Sequence, residues 1–156
     1  MPDVVLVQGA SRGLGLAFVK RLIEPSAASK VIATCRDPNS ALALRELVES
    51  HPQRVTLLRL DVTDEDSLEA VAETVSAAGK PIDLLINCAG VLHSPEGLRP
   101  EKRLQDVCLN NLEQYFRINT IGPLMVAKHL VPLMTRRGRA IIANLSARVG
   151  SISDNR

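Results

Sequence analysis

The sequence has no tryptophan, one tyrosine (Tyr115) and two phenylalanines, so it offers almost no aromatic surface on which bases could stack. No run of Lys or Arg is longer than a pair such as Arg136-Arg137, and the net charge is only +2, so a phosphate-tracking surface is absent as well. Nucleic acid is not an expected partner. No apolar run reaches the ~18 residues that cross a bilayer, so no membrane partner is expected either. The opening MPDVVLVQGASRGLG has no basic region leading into a signal core, because its first apolar run gives way at once to a Gly-rich loop. Cys35, Cys88 and Cys108 are odd in number and widely spaced, which fits neither a disulfide framework nor a metal knuckle. The expectation is three reduced thiols, no metal and a cytoplasmic protein.

What is present is a chain of 156 residues, 46% hydrophobic and 23% charged, within the range of one globular domain. Short β-branched runs at residues 4–8, 31–35, 55–60, 82–87 and 140–145 carry apolar stretches that are continuous rather than alternating, as strands covered on both faces should. Helix-periodic segments alternate with them. Leu14, Phe18 and Leu22, joined by Val19 and Ile23, form one apolar stripe that Pro25 should end. Leu68, Val71, Ala72 and Val75 form another, with Thr63 as N-cap and Asp64, Glu65 and Asp66 in the first turn. A further helix is expected over residues 40–50. The segment 107–135 reads as mostly helical, bent or broken at Gly122-Pro123 and at Pro132. These alternations predict an α/β fold with a doubly wound parallel sheet in the order 3-2-1-4-5. Ligands of such sheets bind beyond the carboxyl ends of the strands where the order reverses. That point lies between strands 1 and 4, at the loops that start at Gly9 and Asn87.

The first loop reads Gly9-Ala10-Ser11-Arg12-Gly13-Leu14-Gly15 and runs into a helix. Glycines there let the backbone turn tightly and approach a pyrophosphate, and the helix N-terminus offers free N–H groups to an anion. An ordinary glycine-containing strand-to-helix turn is the plainer alternative. The spacing G-x-x-x-G-x-G is similar to that of the short-chain dehydrogenase/reductase family. Asp61-Val62 after the third strand, Asn87-Cys88-Ala89-Gly90 after the fourth, Asn119 in the long helix, and Gly150-Ser151-Ile152 and Asp154-Asn155 near the end extend the resemblance. It is strongest to C-factor-like, carbonyl-reductase-type members and covers essentially the whole chain. Gln8 stands where the family usually has Thr and Cys88 where it has a second Asn, which affects local loop hydrogen bonds more than the fold. Cys88 reads as a small buried residue with no base or metal-spaced partner.

The resemblance implies a Rossmann-type NADP-binding domain over residues 1–156, the N-terminal portion of such a protein, with five of the family's seven strands. It assigns Gly9, Ser11, Arg12, Gly13, Leu14, Gly15, Arg36, Asp61, Val62, Asn87, Ala89 and Gly90 to the cofactor. NADP(H) is expected rather than NAD(H), because Arg36 ends strand 2 and Arg12 sits in the Gly loop, where guanidiniums favour a 2′-phosphate. Charge-assisted hydrogen bonds contribute about 1.5–3 kcal/mol each. Asp37 is the competing NAD-type acid, although Asp37-Pro38-Asn39-Ser40 reads as a turn and helix cap.

Family members reduce a small carbonyl compound, and most form homo-oligomers. They use a Ser at the substrate oxygen, a Tyr as proton donor, a Lys that lowers the Tyr pKa and the helix Asn. Asn119 and Ser146 are the candidate catalytic residues here. The family often has two consecutive serines with the second catalytic, and the second position in this chain is Ala147. No Tyr-x-x-x-Lys follows Ser146, and Tyr115 precedes Asn119. Two expectations follow, a chain with little or no reductase activity of its own or a non-catalytic NADP(H)-binding or partner-binding fragment. A third is a truncated product, poorly soluble because strand 5 and the residues Leu124, Val126 and Leu130 would expose apolar surface. His51, His93 and His129 show no ligand or triad spacing, which leaves a hydrolase reading without support.

Overall fold

A computed structural model of the chain describes residues 2–24, 28–95, 97–136 and 138–154. The β-branched runs become five parallel strands, β1 (Val4–Gln8), β2 (Lys30–Cys35), β3 (Val55–Arg59), β4 (Leu84–Asn87) and β5 (Ile141–Asn144). Their order is β3-β2-β1-β4-β5, as the alternation of strands and helices predicts. The helices are α1 (Gly13–Leu22), α2 (Leu42–Ser50), α3 (Glu65–Ala77), α4 (Leu109–Phe116) and α5 (Gly122–Leu130). Successive side chains of a strand point to opposite faces, so β1 feeds two cores. Val5 and Val7 join Val19, Val31 and Leu44 on the α1/α2 side. Leu6 joins Leu60, Leu68, Val71, Val126 and Leu130 on the α3/α5 side. Each fully buried Leu or Val contributes about 1.5–3 kcal/mol, more than the propensity differences among the ordinary residues of these helices.

Several local expectations are corrected by packing. Leu14 leaves the apolar stripe of α1 and is exposed, while Gly15 and Val19 are the buried residues of that helix. The helix ends at Leu22 with Ile23 as C-cap, and Pro25 lies outside the described residues. The Arg54 side chain donates to the carbonyls of Ile23, Glu24 and Ala28, closing the α1–β2 connection. Asp64, not Thr63, caps α3, its carboxylate accepting from the Ser67 N–H. Thr63 is instead drawn toward Asp61, whose Oδ1 accepts from both its N–H and its hydroxyl. The helix expected over 40–50 starts at Leu42, with Ala41 as its N-cap. Asp37 to Ser40 form a turn in which Asp37 Oδ1 accepts from the Asn39 N–H at 2.9 Å.

Gly122-Pro123 does not break the long helix. Residues Arg117–Ile121 form a π-helical turn, closed by the Gly122 N–H on the Arg117 carbonyl. Proline has no N–H to give the carbonyl four residues back, and the wider turn carries the helix past it into α5. Of the three residues expected to be exposed there, only Leu124 is, since Val126 and Leu130 are fully buried against α3 and the sheet. At the helix surface, Lys128 Nζ lies 2.6 Å and His129 Nε2 3.2 Å from Glu65 Oε1, tying α5 to α3. The two edge strands are not covered on both faces, for Ile141 and Ile142 are exposed in β5 and Thr56 and Arg59 in β3.

Candidate functional site

The Gly loop starts where β1 ends. The Thr34 carbonyl, at the end of β2, accepts from the N–H groups of Gly9 and Ala10 at 3.0 and 2.9 Å. Gly9 has φ +80, and a Cβ there would lie 2.5 Å from the Ala89 nitrogen. On Gly15 a Cβ would lie 2.1 Å from the Gly9 carbonyl oxygen. These two glycines let the loops after β1 and β4 and the start of α1 meet with backbone against backbone. Gly13 is different, because its φ of +56 demands glycine while nothing lies within 4 Å of its missing Cβ. No side chain caps the first turn of α1 and no acid lies in it, which leaves the positive end of the helix facing the cleft.

The Gln8 carbonyl accepts from the Cys88 N–H at 2.9 Å, and Gln8 Oε1 accepts from the Ala89 N–H at 3.0 Å. The amide in place of the family's Thr therefore binds the β4 loop directly. Asn87 is buried and donates from Nδ2 to Asn144 Oδ1 at 2.7 Å, which ties β4 to β5. Cys88 is half-buried and burial pushes its thiol up to about 11, so it is protonated and unreactive at neutral pH.

Asn119 holds the backbone after β4 with both ends of its amide. Its Oδ1 accepts from the Val91 N–H and its Nδ2 donates to the Val91 carbonyl, each at 2.8 Å. One turn earlier, the Tyr115 hydroxyl donates to the Leu92 carbonyl at 3.1 Å. Burial, and then the Glu101 carboxylate, raise the Tyr115 pKa above its ordinary value. Arg117 reaches the other way and donates to the Thr63 carbonyl at 3.0 Å. Ser146 and Ala147 are exposed beyond β5.

Of the residues expected to bind cofactor, Gly9, Ser11, Arg12, Gly13, Leu14 and Gly15 line one cleft of about 950 Å³ with Arg36, Asp61, Val62, Ala89 and Gly90. Asn87, Asn119 and Ser146 do not line it. Asn87 lies within the sheet, Asn119 behind the β4 loop and Ser146 beyond the sheet's last strand. Both Arg12 and Arg36 are exposed, and neither guanidinium has a hydrogen-bond or ion-pair partner among the described residues. Sequence reasoning missed Ser40, Ala41, Leu42 and Ala43 at the start of α2. It also missed His93, Ser94, Pro95 and Leu98 after β4, and Gln114 and Ile118 on the long helix, all of which line the same cleft. One signal was available for the β4 side. Residues 91–107 form a long non-periodic stretch that leaves the sheet at its switch point, where loops carry function.

A family model described as short chain dehydrogenase matches residues 3–155. The chain is 36% identical to the uncharacterized oxidoreductase YusZ of Bacillus subtilis over 146 residues, 92% of this chain and 48% of that protein. Among solved structures, NADPH-bound carbonyl reductase from chicken fatty liver superposes with a TM-score of 0.86 at 33% identity, covering 98% of this chain and 60% of that one. The carbonyl reductase Sniffer of D. melanogaster gives 0.85 at 27% identity, with 99% and 65% covered. The chain spans about half the length of the curated relatives it matches.

Proposed function

The chain belongs to the short-chain dehydrogenase family, and from that premise we propose that its cleft binds NADP(H) in the service of hydride transfer to a small carbonyl compound. The observation that carries this reading is the pair Arg12 and Arg36, exposed and unpartnered among the described residues, at the mouth of the glycine-walled cleft. Two guanidiniums without a partner among the described residues favour a ligand with an extra phosphate, since each charge-assisted bond contributes about 1.5–3 kcal/mol. The competing acid, Asp37, is engaged by the Asn39 N–H in its own turn. The residues fit such a ligand in two further respects. Gly13 leaves open space where any other residue would project a side chain, and the first turn of α1 has no side-chain cap.

Bound NADPH would supply the hydride, and the residues of this chain would hold and orient it. Arg12 and Arg36 would take the 2′-phosphate, the start of α1 the pyrophosphate, and Asp61 and Val62 the adenine side. Asn119 would act by holding Val91, since both ends of its amide are committed there. Ser146 is the candidate hydroxyl for the substrate oxygen, with Ala147 at the alternative position.

No Tyr-x-x-x-Lys pair stands in the sequence to supply the proton as family members do. Tyr115 is the sole tyrosine, its hydroxyl donates to Leu92, and Asn119 rather than Lys stands four residues later. We therefore propose that this chain alone binds NADP(H) and turns over little substrate, because general acid–base groups contribute about 10²–10⁴-fold. Calorimetry with NADPH, NADP⁺ and NADH, paired with NADPH consumption over a panel of aldehydes, tests both parts. Absence of heat with NADPH would remove the cofactor reading. Turnover equal to that of a full-length carbonyl reductase would remove the non-catalytic one.

A further inference from the structure

Asn111, Tyr115 and Asn119 recur every four residues, which aligns them on one face of α4 and the turn that continues it. Each grips a different point of the segment between β4 and α4. Asn119 takes both backbone groups of Val91, Tyr115 takes the Leu92 carbonyl, and Asn111 Nδ2 donates to Glu101 Oε1 at 2.9 Å. The segment is thus fastened at both ends to a single helix face. Between the fastenings it folds on itself, with the Ser94 N–H on the Leu98 carbonyl at 3.0 Å and the Gly97 N–H on the Ser94 carbonyl at 3.1 Å. Leu98 is only 5% exposed yet belongs to neither of the two hydrophobic cores. Its burial is a property of this local fold and of the cleft it faces.

We infer that residues 91–95 and 97–101 form a preformed wall of the cleft, and that Tyr115 is the residue that positions it. The wall follows β4, on the opposite side of β1 from Arg36 at the end of β2. It therefore bounds the side of the cleft away from Arg36. Among the described residues of this segment, His93, Ser94, Pro95 and Leu98 line the cleft, offering apolar surface with two hydrogen-bonding groups. The inference rests on the reading that the cleft takes a dinucleotide, and it assigns the β4 side of that cleft to a wall set by α4.

The test is Tyr115→Phe, which deletes the bond to Leu92 and keeps the ring. The affinity for NADPH should fall about five- to tenfold, the scale of one lost hydrogen bond. Binding of 2′,5′-ADP, which carries only the phosphate-bearing half, should stay within about twofold. Amide hydrogen exchange at Ser94 and Gly97 should quicken about tenfold while the amides of β1 keep their rates. Asn111→Ala, which frees the other end of the wall at Glu101, should give the same pattern and serves if the first variant folds poorly. Unchanged exchange at Ser94 and Gly97, or equal weakening of both ligands, would overturn the inference. If the unmodified chain binds neither ligand, the dinucleotide reading fails by itself and the exchange rates alone decide whether Tyr115 positions the wall.

Discussion

Gly122 lies directly against Val62. A Cβ on Gly122 would stand 2.7 Å from Val62 Cγ2 and 2.9 Å from Val62 Cβ, so the long helix approaches the loop after β3 as closely as a glycine allows. Val62 lines the cleft and is also part of the core beneath α3 and α5. Helix packing and cleft shape are therefore set by the same contact.

Gly122→Ala should destabilise the chain by about 2 kcal/mol through overpacking, since the obstructing atoms belong to a short β-branched side chain that cannot swing away. Val62→Ala in the same chain removes Cγ2 and should recover about 1 kcal/mol of that loss as a coupling energy. Urea midpoints of the two single variants and the double variant measure it, and strict additivity would contradict the contact.

Arg36→Ala and Arg12→Ala should each weaken NADPH binding by about ten- to a hundredfold and leave NADH within about twofold. Arg36→Lys should recover only part of the loss, because an ammonium cannot make the paired contacts of a guanidinium. Titrations at two salt concentrations check this, the NADPH preference shrinking at the higher one.

The glycines of the first loop should separate by role. Gly15→Ala places a Cβ against the backbone oxygen of Gly9 and should cost about 3 kcal/mol or more, seen as loss of the cooperative melting transition. Gly13→Ala meets open space and should cost only about 1 kcal/mol for its positive φ. That variant folds, and its reduced NADPH affinity is read by calorimetry.

Thiol labelling should be ordered by burial. Cys108 is exposed, Cys35 is buried with its pKa raised by burial and then by Asp37, and Cys88 is pushed up to about 11. At pH 8 only about one Cys88 in a thousand is thiolate. Iodoacetamide followed by peptide mass analysis should find Cys108 modified first. Labelling of Cys88, which lines the cleft, should slow further with NADPH present while that of Cys108 does not change. Rapid modification of Cys88 at neutral pH would contradict its burial.

The loop from Gly9 to Gly15 and the five apolar runs were legible because each is a local pattern. A strand covered on both faces carries a continuous apolar stretch instead of an alternation, and a backbone that turns at positive φ favours glycine, whatever surrounds it. Those patterns determined the element order, the sheet order and the end of the sheet where the cleft opens. They also placed Arg36 at that end, because it directly follows β2, and Arg12, because the Gly loop that carries it follows β1. The tertiary structure decided what lies behind the cleft. Asn119 reaches Val91 and Tyr115 reaches Leu92 across more than twenty residues of chain, and Arg117 reaches Thr63 across more than fifty. No periodicity carries such pairings, since they depend on how α4 and α5 pack on the sheet and on a π-turn that lets the helix pass Pro123. The same packing leaves Ile141 and Ile142 exposed on a strand whose sequence is that of a buried one. Sequence sets what a strand can bury, and only the arrangement of its neighbours sets what it does bury.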